Sequence, residues 1–239
     1  MSPFRSTLIP IAFVSLVAFV AAQPAPPAGQ AAHMQDHFTK VADVQQAIVR
    51  GDLEDVREPA RWLAEHQPSD GLPSPNKPLF AEMQKAARQA VAATTLADAG
   101  AATGRMVATC GSCHASVGLR PEMAMPTPPD PGKDTEHHML QHQYAVDLLY
   151  RGLVAASDQT WKEGAAALEG SPLTRRNLPM DPALTNDVVA FEAKVHQLAD
   201  KAADTKDTNG RAAIYGELIA GCGSCHGLHG RVWGPGVPK

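Results

Sequence analysis

Aromatic residues are scarce, 5% of 239 positions, and runs of β-branched residues are few. A sheet core draws on both. Their scarcity beside abundant alanine favours helices over a β-rich fold. Excess basic charge is also missing: 21 Lys and Arg stand against 25 Asp and Glu, a net charge of -4. With no basic stripe, nucleic acid is not an expected partner. Past the N-terminus no apolar run approaches the roughly 20 residues of a membrane helix, so no membrane span is expected in the mature chain. Cysteine is limited to four. In a secreted chain four cysteines would ordinarily form two disulfides, but their spacing here points elsewhere.

The N-terminus sets the compartment. Arg5 gives a positive start, residues 8–20 are apolar apart from Pro10 and Ser15, and Val20-Ala21-Ala22 offers small residues before Gln23. This is the pattern of a cleaved secretory signal peptide over residues 1–22. The apolar stretch is too short for a comfortable span. The mature protein is expected outside the cytoplasm, in the periplasm.

All four cysteines lie in one pentapeptide that occurs twice, Cys-Gly-Ser-Cys-His at 110–114 and at 222–226. Cys-x-x-Cys-His is the attachment signature of c-type haem. Two sulfurs one helical turn apart, Cys110 with Cys113 and Cys222 with Cys225, bond the porphyrin's vinyl-derived carbons. The next residue, His114 or His226, presents imidazole to the iron. A redox dithiol does not require the histidine and would follow a strand. A zinc site built from two cysteine pairs leaves both histidines unexplained. Two haems c per chain are expected.

The repetition extends beyond the motifs. Gly104-Arg-Met-Val-Ala-Thr-Cys110 matches Gly216-Glu-Leu-Ile-Ala-Gly-Cys222, and His33-Met-Gln-Asp-His37 matches His138-Met-Leu-Gln-His142. Arg50-Gly51 and Arg151-Gly152 follow at similar places. A repeat of about 105 to 110 residues sets the domain reading: residues 23–115 form one haem-binding half and 134–239 a second. Residues 116–133, with five prolines, form the linker between them.

Each half reads as four helices. In the first these are residues 31–50, 53–66 with a kink at Pro59, 77–94, and a last helix passing through Gly104 into Cys110. In the second they are 134–153, a helix capped by Ser157 and reaching Leu168, 182–203, and a last helix from Thr208 or Asn209 to Cys222. Four amphipathic helices in about 100 residues make an up-down-up-down bundle. Its first helix begins beside the end of its last, which sets each His-Met-x-x-His segment opposite a Cys-Gly-Ser-Cys-His motif. The fold class expected is all-α, as two tandem four-helix bundles.

Each half resembles the cytochrome c′ and cytochrome c556 family, four-helix bundles with Cys-x-x-Cys-His near the C-terminus and the residue facing the iron on the first helix. The resemblance covers nearly all the mature chain as a tandem pair. It implies electron transfer with redox partner proteins, and a homodimer formed through the first two helices.

Four residues are candidates for the distal iron position. Met34 and Met139 lie on the core stripe of the first helices and could offer a thioether, although Met also fills cores. His37 and His142 lie on the same stripe and need partners if buried. His33 and His138 fall one position off it and read as rim residues. His137, His66, His196 and His229 read as surface residues. Trp62 and Trp161 read as core, and Arg105 as a partner for a haem propionate.

The function expected is electron carriage between other proteins, with potential set by axial ligand, burial and charge. The alternative is binding of nitric oxide or carbon monoxide at a five-coordinate iron. Enzymatic activity of the dihaem peroxidase kind is not expected, because no acid-base constellation accompanies the motifs.

Overall fold

The computed structural model describes residues 28–68, 74–130, 132, 134–170 and 182–228. The expected leader over residues 1–22 and His229 lie outside the described residues. Eight α-helices account for the regular structure, with no strand among the described residues: α1 Ala28–Val49, α2 Arg57–Glu65, α3 Lys77–Val91, α4 Leu96–Ser116, α5 Thr135–Val154, α6 Asp158–Ala167, α7 Pro182–Asp204 and α8 Thr208–Leu228. A 3-10 turn, Ser74–Asn76, leads into α3. The fold is all-α, as the composition predicts.

Local chemistry sets the helix starts. Thr95, Asp134 and Ser157 are N-caps whose side chains accept from the backbone N–H three residues on, which satisfies donors the helix leaves open. The expected kink at Pro59 does not occur. α2 begins at Arg57 instead, so Pro59 falls in the first turn, where its missing N–H removes no hydrogen bond. α4 and α8 run further than expected. Each continues through its Cys-Gly-Ser-Cys-His motif, so both motifs lie within the last turns of a helix.

α4 and α8 form the centre. They cross antiparallel, with Gly100 against Gly216 and Gly104 against Ala212. A Cβ on Gly104 would stand 2.1 Å from the Ala212 carbonyl oxygen, and one on Gly100 would stand 2.4 Å from that of Gly216. Only hydrogen fits, so the two backbones touch. α3 and α7 flank this pair on α4 and α8 respectively, while α1 and α5 each lie against both central helices. The buried core is therefore continuous, joining Val44, Ile48, Leu63 and Met106 of the first half to Leu149, Trp161, Leu198 and Leu218 of the second.

The repeat relates these contacts pairwise. The crossing pair Gly100–Gly216 maps onto Ala212–Gly104, so one approach is the image of the other. At the ends of the central helices, Gly111 meets the Leu153 carbonyl on α5 and Gly223 meets the Ile48 carbonyl on α1. Each first helix thus ends against the motif of the opposite half. The offset that aligns His33 with His138 also aligns Val49 with Val154 and Gly51 with Ala156. The expected match of Gly51 with Gly152 does not hold structurally. Gly51 terminates α1 at φ 79°, whereas Gly152 is inside α5, where a Cβ would meet the Trp161 backbone. Ala156 takes the left-handed position after α5 at φ 48°, a conformation that strains a residue with a Cβ.

Residues 119–130 carry no regular structure, and Met123 among them packs on the core. A buried polar link spans the halves: Tyr215 on α8 donates to Gln45 on α1, and Gln45 donates to Asp147 on α5 at 3.3 Å.

The two glycine positions give opposite expectations. Gly104→Ala should cost about 1–3 kcal/mol, because backbone rather than a movable side chain occupies the space. Ala156→Gly should gain about 0.5–1 kcal/mol by relieving the left-handed strain. Thermal or denaturant unfolding of the two variants checks both signs.

Candidate functional site

Helical backbone through each motif puts Cys110 and Cys113 on neighbouring positions one turn apart, with His114 one turn beyond Cys110. The second motif repeats this on α8. The glycine inside each motif lets the helix of the opposite half come to backbone contact, and this fixes the histidine. His114 Nδ1 lies 2.8 Å from the Val154 carbonyl oxygen, and His226 Nδ1 lies 2.6 Å from that of Val49. Val154 and Val49 are the last residues of α5 and α1, whose carbonyls have no partner within their own helix. A carbonyl only accepts, so Nδ1 carries the proton and Nε2 keeps its lone pair. Burial lowers the His114 pKa, with the carbonyl bond opposing it in part, so the ring is neutral at neutral pH. In a neutral ring held this way, Nε2 is the nitrogen able to donate to a metal.

The thiols are not set up as nucleophiles. All four cysteines are unpaired. Burial, then the neighbouring Cys113, pushes the Cys110 thiol up to about 12. Cys222 rises to about 12 by burial and then Cys225, and Cys225 to about 11 by burial and then Glu192. Catalytic thiols need the opposite environment, a nearby cation or helix N-terminus that lowers the pKa.

Two histidine clusters accompany the motifs. In the first half, His33 and His37 from α1 meet His66 beyond α2. His66 Nε2 and His33 Nδ1 are 3.2 Å apart and share a proton. His37 is buried among Trp62, Phe80, His33 and His66, and its Nε2 has no hydrogen-bond partner. Burial, then the two neighbouring imidazoles, brings its pKa to about 3. The cluster lies toward the first motif's end of the fold. Phe80 stands one turn along α3 from Asn76, which accepts from Ser116 at the end of α4 at 2.7 Å.

In the second half, His138 and His142 from α5 meet Glu192 and His196 from α7. Glu192 Oε1 contacts His138 Nε2 and lies 3.1 Å from His196 Nε2 and 3.7 Å from His142 Nε2. His142 is buried and its Nε2 makes no hydrogen bond. Burial brings its pKa to about 4, with Glu192 opposing and His138, His196 and His226 assisting. Met139 and Cys225 both pack against Val188, so the His-Met-x-x-His segment of this half shares a small apolar cluster with its own motif. Met34 is half-buried.

His66 and His196 were expected at the surface and are instead cluster members, because the end of α2 and the middle of α7 pack onto the first-helix histidines. His33 and His138 likewise sit inside the clusters rather than at a rim. Sequence reasoning missed Glu192, although it precedes His196 by four residues on α7 and so shares its face. Trp161 is buried and donates to the Ala202 carbonyl, while Trp62 is half-buried and stacks on His66 with centroids 3.9 Å apart. Arg105 is exposed and donates to Gln89, whereas Glu217 pairs with Lys194.

No family model matches the chain, and no curated protein or solved structure matches it.

The buried histidines predict acid lability. His37 and His142 titrate at about 3 and about 4 in the fold against an ordinary 6.5. Below pH 6.5 the unfolded chain therefore binds more protons than the folded one, and stability falls as the pH drops through that window. The melting temperature should fall between pH 7 and pH 5, and less steeply in His37→Gln than in the parent. Equal slopes would mean that His37 is not buried neutral.

Proposed function

We propose that the chain is a periplasmic c-type cytochrome that carries electrons through two covalently bound haems. The observation that carries this reading is the matched pair of Nδ1–carbonyl bonds at His114 and His226. A ligating histidine needs its second ring nitrogen held by an acceptor, which fixes the tautomer and raises the basicity of the ligating nitrogen. The chain builds this device twice, at the two motifs that would attach the group. The half-buried thiol pairs, with pKa values raised rather than lowered, fit a site of covalent attachment better than one of thiol turnover.

Cys110, Cys113, Cys222 and Cys225 would hold the two haems, with His114 and His226 as proximal ligands. Haem c, when bound, supplies a ferric–ferrous couple at a potential set by its axial ligands and surroundings. On the distal side of the first half, burial favours His37 over Met34, because the His37 Nε2 is an unpartnered buried donor. The second half has two claimants, His142 and Met139, the latter packed with Cys225 on Val188. The remaining task of the chain is to exclude water and hold the ligands still. α1 and α5 do this by bracing each motif histidine with a helix end. The partners are other redox proteins.

No helix among the described residues is long and apolar enough to cross a membrane, which suits a carrier that moves between partners. The expected reduced absorption spectrum has sharp α and β bands that carbon monoxide leaves unchanged, as for six-coordinate iron. A broad spectrum that shifts with the gas would favour ligand binding at an open iron instead. An absence of haem bands, from a host able to attach haem, would overturn the reading.

The brace also predicts a potential. Gly223→Ala would force α8 off the Ile48 carbonyl, which stands 2.0 Å from the position a Cβ would take, and would loosen the His226–Val49 bond. Weaker donation to the iron favours the ferrous state. One of the two potentials should rise while the other holds, as read by a spectroelectrochemical titration.

A further inference from the structure

The second half holds more ligand atoms than an axial position requires. His138, His142, His196 and Glu192 converge with all four donor atoms within 4.8 Å of one another. A tetrahedral zinc ion with ligands at about 2.1 Å sets its donors about 3.4 Å apart. The Glu192 carboxylate stands 3.1 Å and 3.7 Å from two of the imidazole nitrogens, which brackets that edge.

Contacts within the protein leave part of the set unsatisfied, the His142 Nε2. Glu192 is 5% exposed, and a buried carboxylate is costly unless paired. His138 and His196 offer it protons, but three imidazoles crowd one carboxylate. Ring centroids are 4.2 Å apart for His138 with His142 and 5.4 Å for His142 with His196. His142, 8% exposed, is left with an Nε2 that makes no hydrogen bond. A cation at the centre satisfies the carboxylate and all three nitrogens together.

Duplication accounts for His138 and His142, which repeat His33 and His37. It does not account for Glu192 and His196, since the third histidine of the first cluster comes from the end of α2 rather than from a helix equivalent to α7. The first cluster lacks a carboxylate: His33 Nδ1 pairs with His66 Nε2, while His33 Nε2 and His37 Nε2 make no hydrogen bond.

We propose that His138, His142, His196 and Glu192 bind one divalent transition-metal ion that ties α5 to α7 beside the second motif. Three imidazoles and one carboxylate suit Zn²⁺ and its late first-row neighbours, and disfavour Ca²⁺ and Mg²⁺, which take oxygen ligands. The ion is separate from either haem. Its claim on His142 leaves Met139, which shares the Val188 cluster with Cys225, as the distal ligand of the second haem.

The test is a Zn²⁺ titration of the full-length holoprotein after chelator treatment, read by calorimetry and by metal analysis. Haem is counted in the same sample, so a failure of the haem reading shows separately from a failure of this one. The expected result is one Zn²⁺ per chain. Glu192→Gln, His196→Ala and His138→Ala should each weaken it at least about tenfold, with the haem count and helical content unchanged. No bound Zn²⁺, or Zn²⁺ binding that survives these substitutions in folded protein, would overturn the proposal.

Discussion

The hydrogen bond from each motif histidine to the last carbonyl of the opposite half's first helix is the constraint on which the rest of the structure depends. It answers two needs at once. A helix end leaves carbonyls open, and a ligating imidazole needs its second nitrogen held. For the bond to form, the helix backbones must meet, so each motif carries glycine between its cysteines. For the helix end to reach it, the first helix of one half must cross to the other. That crossing in turn requires the central helices to touch, which Gly100, Gly104 and Gly216 permit.

One consequence is that neither half is complete alone. His114 is oriented by α5 and His226 by α1, and the core runs through both halves without a break. A second consequence concerns the two centres. Each first helix carries a buried histidine near its start and an oriented carbonyl at its end. Twelve residues separate His142 from Val154 on α5, about 18 Å of helix. The same spacing separates His37 from Val49 on α1. The two motifs are thus bridged by two rigid helices of matched length, and relative motion of the halves would break the brace at both. In the proposed cytochrome, this keeps both irons in fixed surroundings during electron transfer.

Much of this was legible in the sequence. Helix existence followed from apolar periodicity and capping residues, and the motif residues followed from a spacing that few chemistries share. The starts of α5, α6, α7 and α8 were placed to within a residue by Asp134, Ser157, Pro182 and Thr208. The extent of α4 and α8 was not, because nothing local marks a stop at Cys110 or Cys222. The exchange of helix ends between halves was hidden for a different reason. A repeat in sequence says that two units are alike, not whether each packs on itself or on its twin. Glycine inside both motifs was the available signal, since a glycine in a helix is costly unless another backbone approaches. The cluster around Glu192 was hidden because its members come from separate helices, and only Glu192 and His196 share a readable spacing.

The central claim is that the two motifs attach haem, and the most direct measurement is the mass of proteolytic peptides from the denatured native protein. Covalent attachment survives denaturation. The peptide containing Cys110 and Cys113 and the peptide containing Cys222 and Cys225 should each be heavier than the bare sequence by one haem. Bare masses for both, from a host able to attach haem, would contradict the account.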